Sequence, residues 1–124
     1  MNDNGREALK KTSLGVENPA YDVIAELDPE YFEKLKGLYA DGTFGRDRAL
    51  PRKTKELIMV GITCALGLQR GVRIHSERAL NLGGSPREVL EAMEVAVIPG
   101  GMPGLWLGVE TLRDLLKLRG QEFK

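Results

Sequence analysis

Apolar residues along this chain recur at intervals of three and four rather than alternating, and glycine and proline cut the pattern into pieces of helical length. No stretch reads as a strand. After a polar arm over residues 1–18, Asn18-Pro19 opens a short helical segment that reaches Leu27. Asp28-Pro29-Glu30 then offers an N-cap, a proline at the first helical position and an early acid, which together satisfy or forgo the spare N–H groups of a helix start. The stripe Tyr31, Phe32, Leu35, Leu38 and Tyr39 predicts an amphipathic helix ending near Asp41-Gly42, with a connector from there to Leu50.

Pro51 can start the next helix, in which the ten residues from Leu57 to Leu66 carry no charge. A helix apolar on every side needs cover on every side, which about half a dozen helices in one short chain can hardly supply. A homo-oligomer is therefore expected, with this helix or its neighbour near a subunit interface. Beyond Gly67, Leu68, Gly71, Val72, His75, Ala79 and Leu82 share one helical face, and Arg70, Arg73, Glu77 and Asn81 fall largely elsewhere. Gly83-Gly84 ends that segment, and Ser85-Pro86-Arg87-Glu88 has the spacing of a capping box. The following helix turns wholly apolar at Val95 to Ile98 and must end deep in the structure. Pro99 to Gly104 then reads as a break before a last helix with Leu105, Gly108, Val109, Leu112, Leu115 and Leu116 on its apolar face. The fold class that follows is all-α: a small bundle of about six helices over residues 19–124, behind the arm of 1–18.

Composition narrows the chemistry more than the fold. At 124 residues the chain has the size of one domain, and 42% hydrophobic with 29% charged residues is a globular balance rather than a disordered one. Eighteen basic residues offset eighteen acidic ones, so no global field gathers nucleic acid or an acidic membrane, and neither partner is expected. One Cys and one His exclude an intrachain disulfide, a CxxC pair, a zinc cluster and a two-histidine metal site within one chain. No metal and no cofactor are expected. The charged first eighteen residues lack the apolar core of a secretory signal and no apolar run has the length of a membrane span, which predicts a soluble, cytoplasmic protein.

His75 is the one side chain whose ordinary titration range lies near neutrality, which makes it the candidate for moving a proton. A lone histidine on an apolar face is also a common core residue. Glu56 stands at the head of the uncharged run and needs a partner. Arg52 and Lys53 lie four and three residues back, and spacing alone favours such a local ion pair. The alternative is His75 on a packed neighbouring helix, where the carboxylate would orient the imidazole and stabilise an imidazolium. Cys64, with no cationic residue within one turn, reads as a buried, protonated packing residue. Gly100 and Gly101 could bring backbone N–H groups close to a substrate carboxylate or an enolate oxygen, or could simply form a tight turn. Arg70, Arg73 and Arg78 could bind anions but sit where helical arginines are usually solvated.

Glu56, His75 and the run ERALNLGGSPREVLEAMEVAVIPGGMPG together resemble the carboxymuconolactone decarboxylase and alkylhydroperoxidase-D-like superfamily, over about Leu50 to Leu116. The resemblance implies an all-helical fold, trimers or hexamers, and a site at helix and subunit junctions. The superfamily's peroxidase branch carries a glutamate, a CxxC pair and a histidine. Glu56 and His75 match the acid and the histidine, while the thiol positions fall on Leu68 and Gly71. That redox cycle cannot run there. The branch without cysteines resembles carboxymuconolactone decarboxylase itself, which needs neither metal nor organic cofactor. The favoured expectation is thus a lyase, or a related proton-transfer enzyme, on a small, anionic lactone or ring-cleavage product, with His75 and Glu56 catalytic and Gly100 and Gly101 binding substrate. The alternatives are thiol peroxidase activity through Cys64, or a non-catalytic oligomeric binding or scaffold protein of the same fold. Many decarboxylases of this kind place a tyrosine in the loop that here reads Pro99-Gly100-Gly101-Met102-Pro103.

Overall fold

The computed structural model describes residues 18–123. All but the last residue of the expected polar arm, 1–18, lie outside them. Among the described residues there are six α-helices, one π-helical segment and no strand, in two compact units that divide between Arg52 and Lys53.

In the first unit, α1 (Pro19–Leu27) is capped by Asn18, whose side-chain oxygen accepts from the Ala20 N–H, and α2 (Pro29–Lys36) by Asp28, which accepts from the Tyr31 N–H. Ala25, Phe32 and Ala40 are buried together, and the Tyr21 ring meets the Phe32 ring edge-on at 6.5 Å. The helix does not stop at Asp41-Gly42. It widens into a π-helical stretch over Gly37–Phe44, in which the Thr43 hydroxyl reaches the Leu38 carbonyl five residues back. The wider turn breaks the expected stripe: Ala40 and Phe44 go inside, whereas Tyr31 and Leu38 remain exposed.

The second unit carries α3 (Arg52–Ala65) from its second residue onward, α4 (Gln69–Asn81), α5 (Pro86–Gly100) and α6 (Met102–Arg119). Gly67, at φ +69°, makes the tight turn that sends α4 back along α3. The two helices lie close because Gly71 has no side chain: a Cβ there would stand 2.7 Å from Thr63 Cγ2. At the other end of α4 the capping box forms as read. Ser85 Oγ accepts from the Glu88 N–H at 3.1 Å, and Glu88 Oε1 accepts from the Ser85 N–H at 3.0 Å. Glu88 also pairs with Lys53 at 3.0 Å, which ties the start of α5 to the start of α3.

Pro99 to Gly104 is not a loop. α5 runs through Pro99 to Gly100, α6 begins at Met102, and Gly101 alone, at φ +77°, reverses the chain. Pro99 is tolerated in the last turn, where it forfeits one hydrogen bond beside the exposed Val95 and Ile98, and Pro103 occupies the first turn of α6, where an N–H has no helical partner. Val60, Val72, Val89 and Met93 are fully buried in the core of this unit, each contributing roughly 1.5–3 kcal/mol of transfer free energy. No described helix is long and apolar enough to cross a membrane.

Candidate functional site

Glu56 lies one turn into α3, and His75 and Arg78 lie three residues apart on α4, so one turn of each helix faces the other. The antiparallel pairing set by Gly67 and Gly71 brings them into register. His75 Nδ1 stands 2.7 Å from Glu56 Oε2, and Arg78 Nη2 stands 2.8 Å from Glu56 Oε1. The Glu56 side chain is 2% exposed, that of Arg78 0%, and that of His75 10%. Each oxygen of one buried carboxylate thus has its own donor-bearing partner, the arrangement a charge needs if it is to leave water.

Of the partners open to Glu56 in the sequence, the local ones are not those it takes. Lys53 pairs with Glu88, and Arg52 Nε donates to the Phe44 carbonyl at 3.0 Å. Local pairing loses because Glu56 points into the α3–α4 seam, where a fork-shaped guanidinium and an imidazole are both within reach. Arg78 is the residue that pattern reasoning missed. Read as a solvated position, it is completely buried. The one available signal was its spacing of three from His75 on a face otherwise made of Val72, Ala79 and small residues.

The structure separates the other expected site residues from this pair. Gly100 abuts Ala65, with a would-be Cβ only 2.7 Å from the Ala65 carbonyl oxygen. Ala65 is nine residues beyond Glu56, which is about 13 Å along the helix at ~1.5 Å per residue. The Gly101 N–H is bonded to the Val97 carbonyl at 2.8 Å. These two glycines serve the close approach and reversal of helices. Cys64, about 12 Å along α3 from Glu56 by the same rise, donates to the Gly104 carbonyl and is buried. Burial pushes its thiol above the ordinary range, and a hydrogen bond from the Gly108 backbone offsets part of that. Leu68, one of the two thiol positions of the peroxidase branch, is half exposed, and Gly71, the other, packs on Thr63.

A groove of about 560 Å³ is lined from α5 and α6, by Leu90, Val109 and Leu112 and by the charged Arg87, Glu94 and Arg113 among others; neither Glu56 nor His75 lines it.

Residues 29–114 match the model of the carboxymuconolactone decarboxylase family, a span that includes Glu56, His75 and Arg78. An uncharacterized protein of Methanocaldococcus jannaschii is 23% identical over 94 residues, covering 76% of this chain and 86% of its own length. The crystal structure of a candidate carboxymuconolactone decarboxylase from Burkholderia xenovorans LB400 superposes with a TM-score of 0.75 at 23% identity, over 94% of each chain. At that identity the likeness is one of fold.

Proposed function

The chain belongs to the carboxymuconolactone decarboxylase family, and we propose that it is a cofactor-independent lyase, or a related proton-transfer enzyme, acting on a small carboxylated lactone or ring-cleavage product. The single observation that carries this reading is the 2.7 Å contact between His75 Nδ1 and Glu56 Oε2 inside the helical seam. In the reaction envisaged, the bond between the ring carbon and its carboxylate breaks, carbon dioxide leaves, and the electron pair spreads toward the lactone carbonyl. A His75 imidazolium then gives its Nε2 proton to carbon and regains one from solvent. Glu56 keeps hold of Nδ1 throughout, orienting the ring and balancing its transient charge.

The reading is tested by following candidate carboxylated lactones through loss of their ultraviolet absorbance. His75→Ala should lower turnover by roughly 10²–10⁴-fold, the usual worth of a positioned acid or base. Equal turnover by the variant and its parent would remove His75 from the mechanism.

The proposal includes self-association. Ile58, Ile62 and Leu66 are exposed at four-residue spacing on α3, and Val95 and Ile98 on α5 are 71% and 89% exposed. Met102 and Trp106 of α6 are exposed as well, at 45% and 59%. Such a surface on an otherwise charge-balanced chain favours a second copy as its cover. A chain that sediments as a monomer at micromolar concentration would contradict this.

A further inference from the structure

We infer that Arg78 is a positioning residue, which acts through Glu56 to fix the tautomer of His75, and so decides which ring nitrogen handles the proton. The inference deepens the reading above and rests on it only for the use to which the proton is put.

A guanidinium donates on every face and accepts on none, so the 2.8 Å contact with Arg78 Nη2 commits Glu56 Oε1 as an acceptor. Opposite a buried cation Glu56 is a carboxylate, an acceptor at both oxygens; its Oε2 stands 2.7 Å from His75 Nδ1, and the neutral ring must therefore carry its hydrogen on Nδ1. The lone pair is then on Nε2. Free imidazole side chains have no such constraint, and the tautomer here is set through an intervening carboxylate. The charges also suit the burial: Arg78 and Glu56 bring one cation and one anion together in a seam where they are 0% and 2% exposed. The chemical consequence is that a proton lost from Nε2 is regained at Nε2, because Nδ1 is already occupied. One nitrogen serves both halves of a turnover and the ring need not rotate.

The chain has a single histidine, so its ring nitrogens can be read without assignment by long-range ¹H–¹⁵N correlation on ¹⁵N-labelled protein freed of any affinity tag, at a pH where the ring is neutral. The parent should show the Nδ1–H tautomer. Arg78→Met takes the cation from a buried carboxyl, which can then hold a proton on Oε2 and donate it to Nδ1, so the ring should lose that signature in favour of Nε2–H. Glu56→Gln gives the sharpest arm. Its amide has one accepting and one donating end, and Arg78 can be met only by the oxygen, so the NH₂ group faces Nδ1 and the ring should switch to Nε2–H. An Nε2–H parent, a Glu56→Gln ring that stays Nδ1–H, or a folded Arg78→Met protein with the parent's signature would each overturn the inference. If Arg78→Met fails to fold, the Glu56→Gln arm decides alone. None of these readouts uses turnover: inactivity toward lactones leaves the tautomer result standing, and an unswitched tautomer leaves the activity assay standing.

Discussion

Removing Glu56 and Arg78 singly and together should be grossly non-additive. Both side chains are essentially out of solvent, at 2% and 0% exposure, so no discount for water screening applies to their 2.8 Å pair. Glu56→Leu strands a buried guanidinium from its carboxylate, a change that costs about 3–5 kcal/mol in buried pairs, and it also deprives His75 Nδ1 of its acceptor. Arg78→Met leaves the Glu56 carboxyl buried without its cation, at a similar ~3–5 kcal/mol. In Glu56→Leu/Arg78→Met neither charge remains in the seam, and apolar side chains of similar length fill it. The double variant should cost no more than about 2 kcal/mol, mainly the lost bond to His75. The coupling term is then at least ~4 kcal/mol. Urea denaturation at one fixed protein concentration reads it, since association would otherwise shift apparent stability. With a slope of about 2 kcal/mol/M, each single variant should move its midpoint down by roughly 2 M and the double variant by about 1 M or less. A double variant whose loss equals the sum of the single losses would refute the argument, because it would mean that the two charges do not depend on each other.

Glycine replacement should depend on what the new Cβ meets. Gly104→Ala puts it 2.4 Å from the Cys64 carbonyl oxygen, a backbone atom that cannot swing aside, and should cost 2 kcal/mol or more on the order of an overpacked core; Gly37→Ala, with helical φ and nothing within 4 Å, should stabilise by about 0.5 kcal/mol, both checked by thermal melts. Ser85→Ala should cost about 1 kcal/mol through loss of the α5 cap. The Ser85 backbone N–H, and then Lys53, hold the Glu88 carboxyl below its ordinary range, so its contribution is complete above that range and fades as pH falls through the depressed value. Glu88→Gln should accordingly flatten the acid limb of a stability–pH profile, and an unchanged limb would exclude this linkage. Burial raises the Cys64 thiol, so the folded chain should resist alkylation until unfolded, and stability should decline as pH rises past the ordinary thiol range, about 8.5, where the unfolded chain ionises first; fast alkylation of the native protein would contradict the buried placement.

Most of the helices were legible because their start signals are local chemistry. Asn18, Asp28 and Ser85 cap the helices they precede, and Ser85 with Glu88 forms the reciprocal bonds that their spacing implies. The two errors of boundary have one origin. Gly37–Phe44 and Pro99–Gly104 contain helix-weakening residues, yet tertiary packing keeps both helical: Ala40 and Phe44 are drawn inside by a widened turn, and Gly100 and Gly104 are needed for contact with Ala65 and Cys64.

For the site, the chain's composition alone singled out His75 as the one histidine and set Glu56 at the edge of an uncharged run; helical periodicity placed both on faces that could be buried. It could not choose among Arg52, Lys53 and His75 as the partner of that carboxylate, nor recognise Arg78, because a periodic pattern locates residues on their own helix and says nothing of which turn of a neighbour lies opposite. That choice was made by the turn at Gly67 and the bare surface of Gly71, which bring α4 within touching distance of α3 and set the register in which one buried carboxylate meets two cationic or cation-forming side chains. Helix formation follows from local bonds that a sequence displays; the meeting of charges across helices follows from close packing, which exists only once the chain is folded.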